Sequence, residues 1–196
     1  MKTIKLILAL VITLTLQVNA QRNYNINARS TFEVAGTSNV HDWVMKSTEG
    51  SGTANLTVKE SKLTDINSFT ITIPAESIKS SKTSMDDVAY ETLDTKSHKY
   101  VKYVLKSAEK INETTWTLTG VYTIAGVSRE YKTQVRITAN NGNFILQGSN
   151  QVTFADFGMA APTAALGVVR AGKDLTIIFN ITLTDYTKND NVLVIK

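Results

Sequence analysis

Phe69-Thr70-Ile71-Thr72-Ile73-Pro74 decides how the chain is read. Successive side chains of an extended strand point to opposite faces, so this run places Phe69, Ile71 and Ile73 on one side and threonines on the other. Pro74 has no N–H for the ladder and ends it. The predicted element is therefore a half-buried strand. Comparable stretches rich in threonine, valine, isoleucine and aromatics recur at residues 24–34, 52–59, 100–108, 115–124, 130–139, 144–154 and 175–183, and that composition favours pleated sheet. With the first run they make eight strands, enough to close a barrel and leave no open edge. Asn140-Asn141-Gly142-Asn143 is the strongest turn, because Asn-Gly accepts the positive φ angles of a tight hairpin. Lys110-Ile111-Asn112-Glu113 and Ala125-Gly126-Val127-Ser128 read as two more hairpin loops, and the strands from Tyr100 onward become an antiparallel meander.

Two segments interrupt the pattern. Ser84-Met85-Asp86-Asp87-Val88-Ala89-Tyr90-Glu91-Thr92-Leu93 offers a serine cap, acids in the first turn and apolar Val88, Ala89 and Leu93, which predicts a short surface helix. Ala160 to Arg170 is small and apolar with no alternation, and is expected to form a short helical lid or a loop at a barrel mouth.

The first twenty residues have their own logic. Lys2 and Lys5 precede an apolar run from Leu6 to Leu16, followed by Val18-Asn19-Ala20 and Gln21. A basic start, a short apolar middle and small residues before a cut describe a secretory signal peptide. The run is shorter than the ~18–20 residues of a spanning helix. The expectation is cleavage near Ala20-Gln21, export to the periplasm or beyond, no integral membrane segment in the mature chain, and one domain from residue 21 to 196. The chain has no cysteine, which removes disulfides, thiolate metal sites and a thiol nucleophile, so a packed core must carry the stability. Without Lys2 and Lys5 the 21 basic residues fall to 19 against 17 acidic ones, a net charge of +2. The lysines are scattered, and the basic stripe required for nucleic-acid binding is missing.

Four stretches, taken in order, resemble one family. Gly36-Thr37-Ser38-Asn39-Val40-His41-Asp42-Trp43, Leu93-Asp94-Thr95-Lys96-Ser97-His98-Lys99-Tyr100-Val101-Lys102-Tyr103, Gly120-Val121-Tyr122-Thr123-Ile124-Ala125-Gly126-Val127, and Asp156-Phe157-Gly158-Met159 with Asp174-Leu175-Thr176-Ile177 are together similar to the YceI-like proteins, lipocalin-shaped binders of polyisoprenoids. The likeness runs from residue 22 to 186. Lys99 stands where the family usually has proline, and Tyr122 where leucine is commoner. The resemblance implies an all-β, eight-stranded antiparallel lipocalin-like barrel with one or two short helices. It also implies a periplasmic location and a bound isoprenoid lipid or quinone as the partner, with no enzymatic cofactor.

From the residues alone, a barrel of eight strands either fills with side chains or encloses one ligand. The candidate apolar lining is Phe32, Trp43, Phe69, Ile71, Ile73, Tyr103, Leu105, Trp116, Leu118, Phe144, Leu146, Phe154, Met159, Ile177 and Phe179, with His41 a possible entrance residue. Such a lining suits an apolar chain. At ~0.8 kcal/mol per buried CH₂, about ten methylenes give roughly 8 kcal/mol before the costs of association, so a chain of several isoprene units is the natural guest. His41-Asp42 with Ser38 invites a hydrolytic reading, but adjacent strand residues face opposite ways, whereas nucleophile, base and acid must converge. The expectation is a structural turn, with Asp42 accepting local backbone hydrogen bonds and Trp43 packed in the barrel. His41 and His98 are the only histidines, and neither sits in a metal-binding pattern, so no metal and no catalytic residue is assigned. Three functions remain: a monomeric or homodimeric lipid carrier, a solid barrel acting as a stress-associated protein-interaction module, and a hydrolase of a hydrophobic substrate.

Overall fold

A computed structural model describes residues 20–186; the proposed signal sequence before Ala20 lies outside them. Eleven strands and one α-helix follow in the order β1 (Ala20–Ile26), β2 (Thr31–Ser38), β3 (Trp43–Ser47), β4 (Thr53–Lys59), β5 (Lys62–Pro74), α1 (Thr83–Leu93), β6 (Tyr100–Lys110), β7 (Thr115–Ile124), β8 (Val127–Asn140), β9 (Asn143–Thr153), β10 (Thr163–Ala164) and β11 (Val169–Asp185). Single 3-10 turns at Ala75–Ser77 and Ala155–Phe157 lie between them.

The strands close on themselves. β1, β4, β5, β6, β7, β8, β9 and β11 pair in that order, all antiparallel, and β11 returns to β1 through Tyr24↔Asp185 and Ile26↔Leu183. This is the all-β, eight-stranded antiparallel barrel expected from the alternation. β7 shows why: Trp116, Leu118, Gly120, Tyr122 and Ile124 are buried in strict alternation with half-buried threonines and Val121, so one face builds the interior. The turn between β8 and β9 has Asn141 and Gly142 at φ 52° and 81°, the left-handed pair that a tight hairpin requires.

The single strand expected over residues 24–34 is two. At Asn27 the Oδ1 accepts the Arg29 N–H at 2.9 Å, Ser30 N–H bonds back to the Asn27 carbonyl at 2.9 Å, and the Ser30 hydroxyl accepts from Thr182 N–H at 3.1 Å. These local bonds satisfy backbone groups that the ladder would otherwise need, and the strand bends without losing pairing energy. Past the bend β2 pairs with the upper half of β11 and with β3, whereas β1 pairs with the lower end of β11 and with β4. Toward one end of the barrel β2 and β3 thus replace β1 and β4. β3 forms no ladder with β5; it joins the chain beyond β5 by one bridge, Lys46↔Lys79.

α1 lies over that seam. It starts one residue before Ser84, and its N-cap is Lys82 rather than a serine. The acid predicted for the first turn is there, and it also anchors the helix: buried Asp86 accepts the Ser80 N–H at 2.7 Å and the Ser80 hydroxyl at 2.8 Å and so ties α1 to its approach loop. Asp94 in the left-handed conformation stops the helix, with its N–H on the Glu91 carbonyl and the Thr95 N–H on the Tyr90 carbonyl. Residues 160–170 form no helix. They make the small β10–β11 hairpin, Thr163↔Arg170 and Ala164↔Val169.

Candidate functional site

The interior differs along its length. At the end bounded by β1 and β4, Tyr24, Leu56, Trp116, Val135, Phe144, Leu146, Ile181 and Leu183 are all buried to 3 % exposure or less, and Tyr24 meets Phe144 edge to face at 5.5 Å between ring centres. This end is solid. Midway, the Asn150 side-chain amide donates to the Tyr122 hydroxyl at 3.0 Å and to the Thr133 hydroxyl at 2.6 Å. Burial holds the Tyr122 phenol above the ordinary tyrosine value, with its hydrogen bonds to Asn150 and Thr133 opposing the shift. Tyr103 lies 4.9 Å from Tyr122, ring centre to ring centre, and its buried hydroxyl has no hydrogen-bond partner among the described residues. Burial pushes that phenol up as well.

Beyond this layer the barrel is hollow. A narrow chamber of about 60 Å³ is lined by Phe32, Phe69, Ile71, Ile73, Tyr103, Leu118, Ile177 and Phe179, among others. A larger cavity of about 700 Å³ opens above it; Phe32, Ile73, Val101 and Ile177 line both. This volume lies within the ~300–1,000 Å³ of small-molecule sites. Of the candidates drawn from the sequence, Phe32, Trp43, Ile73, Phe154, Met159 and Ile177 stand in the wall of the larger cavity together with His41. Leu105, Trp116, Phe144 and Leu146 line neither space. Trp116, Phe144 and Leu146 belong to the solid end, and Leu105 packs on the core from a half-buried position. Alternation gave their direction inward, but there the interior is taken up by packed side chains.

Much of the large cavity comes from positions outside that candidate lining. Met85, Val88, Ala89, Thr92 and Leu93 present the underside of α1 to it, and their spacing of three, four and seven is the sequence signal of a helix with one apolar face. Val34, Met45, Ile78, Phe157, Val169, Ala171 and Leu175 are among the other apolar residues of the wall; Glu33, Lys82, Ser38, Ser84 and Thr163 are among its polar members. Glu33 is paired with Lys46 at 2.9 Å. Phe157 is fixed by the turn below it: the Asp156 carboxylate accepts the Thr153 N–H at 2.6 Å and the Tyr131 hydroxyl at 2.9 Å. Those bonds hold the Asp156 carboxyl below its usual range, while burial and the bond to Asp156 push Tyr131 up to about 12.

The turn leading into β3 is structural in the manner expected, with a different residue at its centre. Ser38, not Asp42, accepts the backbone N–H groups of Val40 and His41, at 3.2 and 3.1 Å, and donates to the His41 carbonyl at 2.8 Å. Serine closes such turns through its hydroxyl as aspartate does through its carboxylate. Trp43 opens β3, donates from Nε1 to the Thr37 carbonyl at 2.9 Å, and lays its ring over Gly36, where a Cβ would come within 2.3 Å of the ring. His41 is exposed, with Nδ1 2.8 Å from the Asp42 carbonyl oxygen.

A model of the YceI-like domain matches residues 24–183, most of the chain. The chain belongs to the YceI-like family. Among solved structures, BcnA of Burkholderia cenocepacia superposes with a TM-score of 0.68 at 16% identity, over 81% of this chain and 99% of that one. A polyisoprenoid binding domain from Saccharophagus degradans, implicated in plant cell wall breakdown, gives 0.66 at 10% identity over 85% and 99%. The YceI protein of Campylobacter jejuni gives 0.55 at 19% over 69% and 80%. At these identities the likeness speaks for the fold. A search of curated proteins found no match. Within the YceI-like domain, no helix of the described residues is long and apolar enough to cross a membrane, and no group of three His, Cys, Asp or Glu residues among them is placed to hold a metal ion.

Proposed function

We propose that the protein is an exported carrier that takes a long apolar lipid, a polyisoprenoid or an isoprenoid quinone, into the hollow end of its barrel. The observation that carries this reading is the apolar cavity of about 700 Å³ under α1, continuous in its lining with the narrow chamber below. Aliphatic and aromatic side chains dominate its wall, which favours hydrocarbon over a polar metabolite. Its polar members sit at the α1 and hairpin side, where a headgroup would remain near water. The solved domain of Saccharophagus degradans is named for polyisoprenoid binding, and membership of the same family supports the ligand class here. The filled-barrel alternative is disfavoured, since one end of the interior is unfilled. Export rests on the basic-apolar-small pattern of residues 1–20.

The test is mass spectrometry of an organic extract of the protein purified from the cell envelope or medium, with a native spectrum of the intact protein. A stoichiometric species of several isoprene units, on a chain beginning at Gln21, is the expected result. An apo mass that takes up neither added polyprenol nor added quinone overturns the carrier reading, and an intact Met1 overturns export.

A further inference from the structure

The most exposed apolar side chains crowd at the mouth of the cavity. Leu166 is fully exposed, Val168 69% and Val40 62%. Two hairpins carry them. The β2–β3 tip and the β10–β11 tip are stitched by Asn39, whose N–H bonds the Arg170 carbonyl at 3.1 Å, whose amide donates to the Val168 carbonyl at 2.9 Å, and whose Oδ1 accepts the Arg170 N–H at 2.7 Å. The β10–β11 tip is held in an unfavourable conformation: Ala165, Leu166 and Gly167 have φ of 50°, 57° and 86° in succession. A bulky L-residue rarely adopts that region. Leu166 contributes no burial in return, so neither packing nor backbone preference within the chain accounts for a leucine there. Ala165 and Val169, on either side of it, line the cavity itself.

We infer that this rim is a membrane-docking surface, through which the cavity exchanges its lipid directly with a bilayer. The inference rests on the carrier reading above. A guest of several isoprene units cannot cross water unaided, because each exposed methylene opposes it. Leu166, Val168 and Val40 in the acyl boundary would make the bilayer interior and the cavity wall one continuous apolar path. Aliphatic side chains on the hairpin that carries exposed Arg170 fit an interfacial site, where apolar area inserts and a cation meets lipid phosphates. A protein partner is less favoured, since the rim offers small aliphatics and no aromatic anchor.

The experiment follows a fluorescent polyprenol from vesicles of phosphatidylcholine and phosphatidylglycerol into the purified protein, and in parallel from detergent micelles. Leu166→Asp with Val168→Asp is expected to slow extraction from vesicles about tenfold or more, from the apolar area withheld, and to abolish co-sedimentation with them. Uptake from micelles and the melting temperature stay at the wild-type level, and Val40→Asp gives a smaller loss of the same kind. Extraction at the wild-type rate by the double variant overturns the inference while leaving the carrier reading intact. So does light scattering that shows two copies joined through the rim and separated by Leu166→Asp. Failure of the wild type to take polyprenol even from micelles overturns the carrier reading, and the docking role with it.

Discussion

The two ends of this barrel share β5 to β9 and β11 and differ in the strands that complete the ring and in what they enclose. At the β1–β4 end Trp116, Phe144, Tyr24 and Leu183 are fully buried in one apolar cluster and line neither cavity, with Tyr24 edge to face on Phe144. At the other end, β2 and β3 take the places of β1 and β4, no ladder closes β3 to β5, and α1 spans the seam. Side chains that would fill a ring of eight strands no longer reach each other, and a cavity results. Stability and binding are in this way assigned to separate stretches of the same strands, with the Tyr122–Asn150–Thr133 layer between them.

The division is open to direct test. Trp116→Ala at the solid end removes the largest fully buried side chain and is expected to cost about 3–5 kcal/mol, read as a lowered urea midpoint; a loss below about 1 kcal/mol would mean that this end is no core. Asn150→Ala strands the hydroxyls of Tyr122 and Thr133 in the middle layer and should cost about 1–3 kcal/mol, checked by the same titration, with lipid uptake retained. Ala89→Phe, on the cavity face of α1, should change stability by less than about 1 kcal/mol because it projects into open space, yet lower lipid uptake at least about tenfold. If uptake survives, the guest does not lie beneath the helix. Tyr103→Phe deletes a buried hydroxyl without a partner and should leave stability unchanged or raise it by up to about 1 kcal/mol; a clear loss would reveal a bound water or partner at that oxygen.

Alkaline pH sharpens the comparison further. Tyr24, Tyr103, Tyr122 and Tyr131 all have their phenols raised, chiefly by burial. The folded state therefore keeps protons that the unfolded chain releases above about pH 10, and folding stability falls as pH rises from there through the folded values. Denaturation midpoints measured on both sides of pH 10 should show that slope, and Tyr131→Phe should make it shallower. Asp156 acts in the opposite sense: its carboxyl is held low by the Thr153 and Tyr131 bonds, so its contribution is present above the ordinary carboxylate range and is lost as pH falls through its folded value.

Much of this was legible in the residues. Alternation at Phe69–Ile73 and along β7, the Asn-Gly turn and the apolar residues of α1 each act over a few positions, and the elements appear where they point. The bend at Asn27–Ser30 was hidden because the residues on either side continue one alternating pattern; only the Asn27 and Ser30 hydrogen bonds break it. β3 was hidden because its five residues are few and begin with Trp43, Val44 and Met45 in succession, which gives no alternation to read. The Ala160–Arg170 segment has no period of either kind, and its hairpin is set by pairing with the start of β11.

The sequence by itself determined most of the strands, the helix, the inward direction of the alternating side chains and the family resemblance, because strand period, turn chemistry and motif order are local or linear properties. Only the tertiary structure decided which of those inward residues pack and which surround space. That depends on the distance to the opposite wall, which is fixed by the exchange of β1 and β4 for β2 and β3 on residues far apart in the chain. Phe144 near the start of β9 and Phe154 just past its end are both apolar and buried; one closes a core and the other lines a cavity.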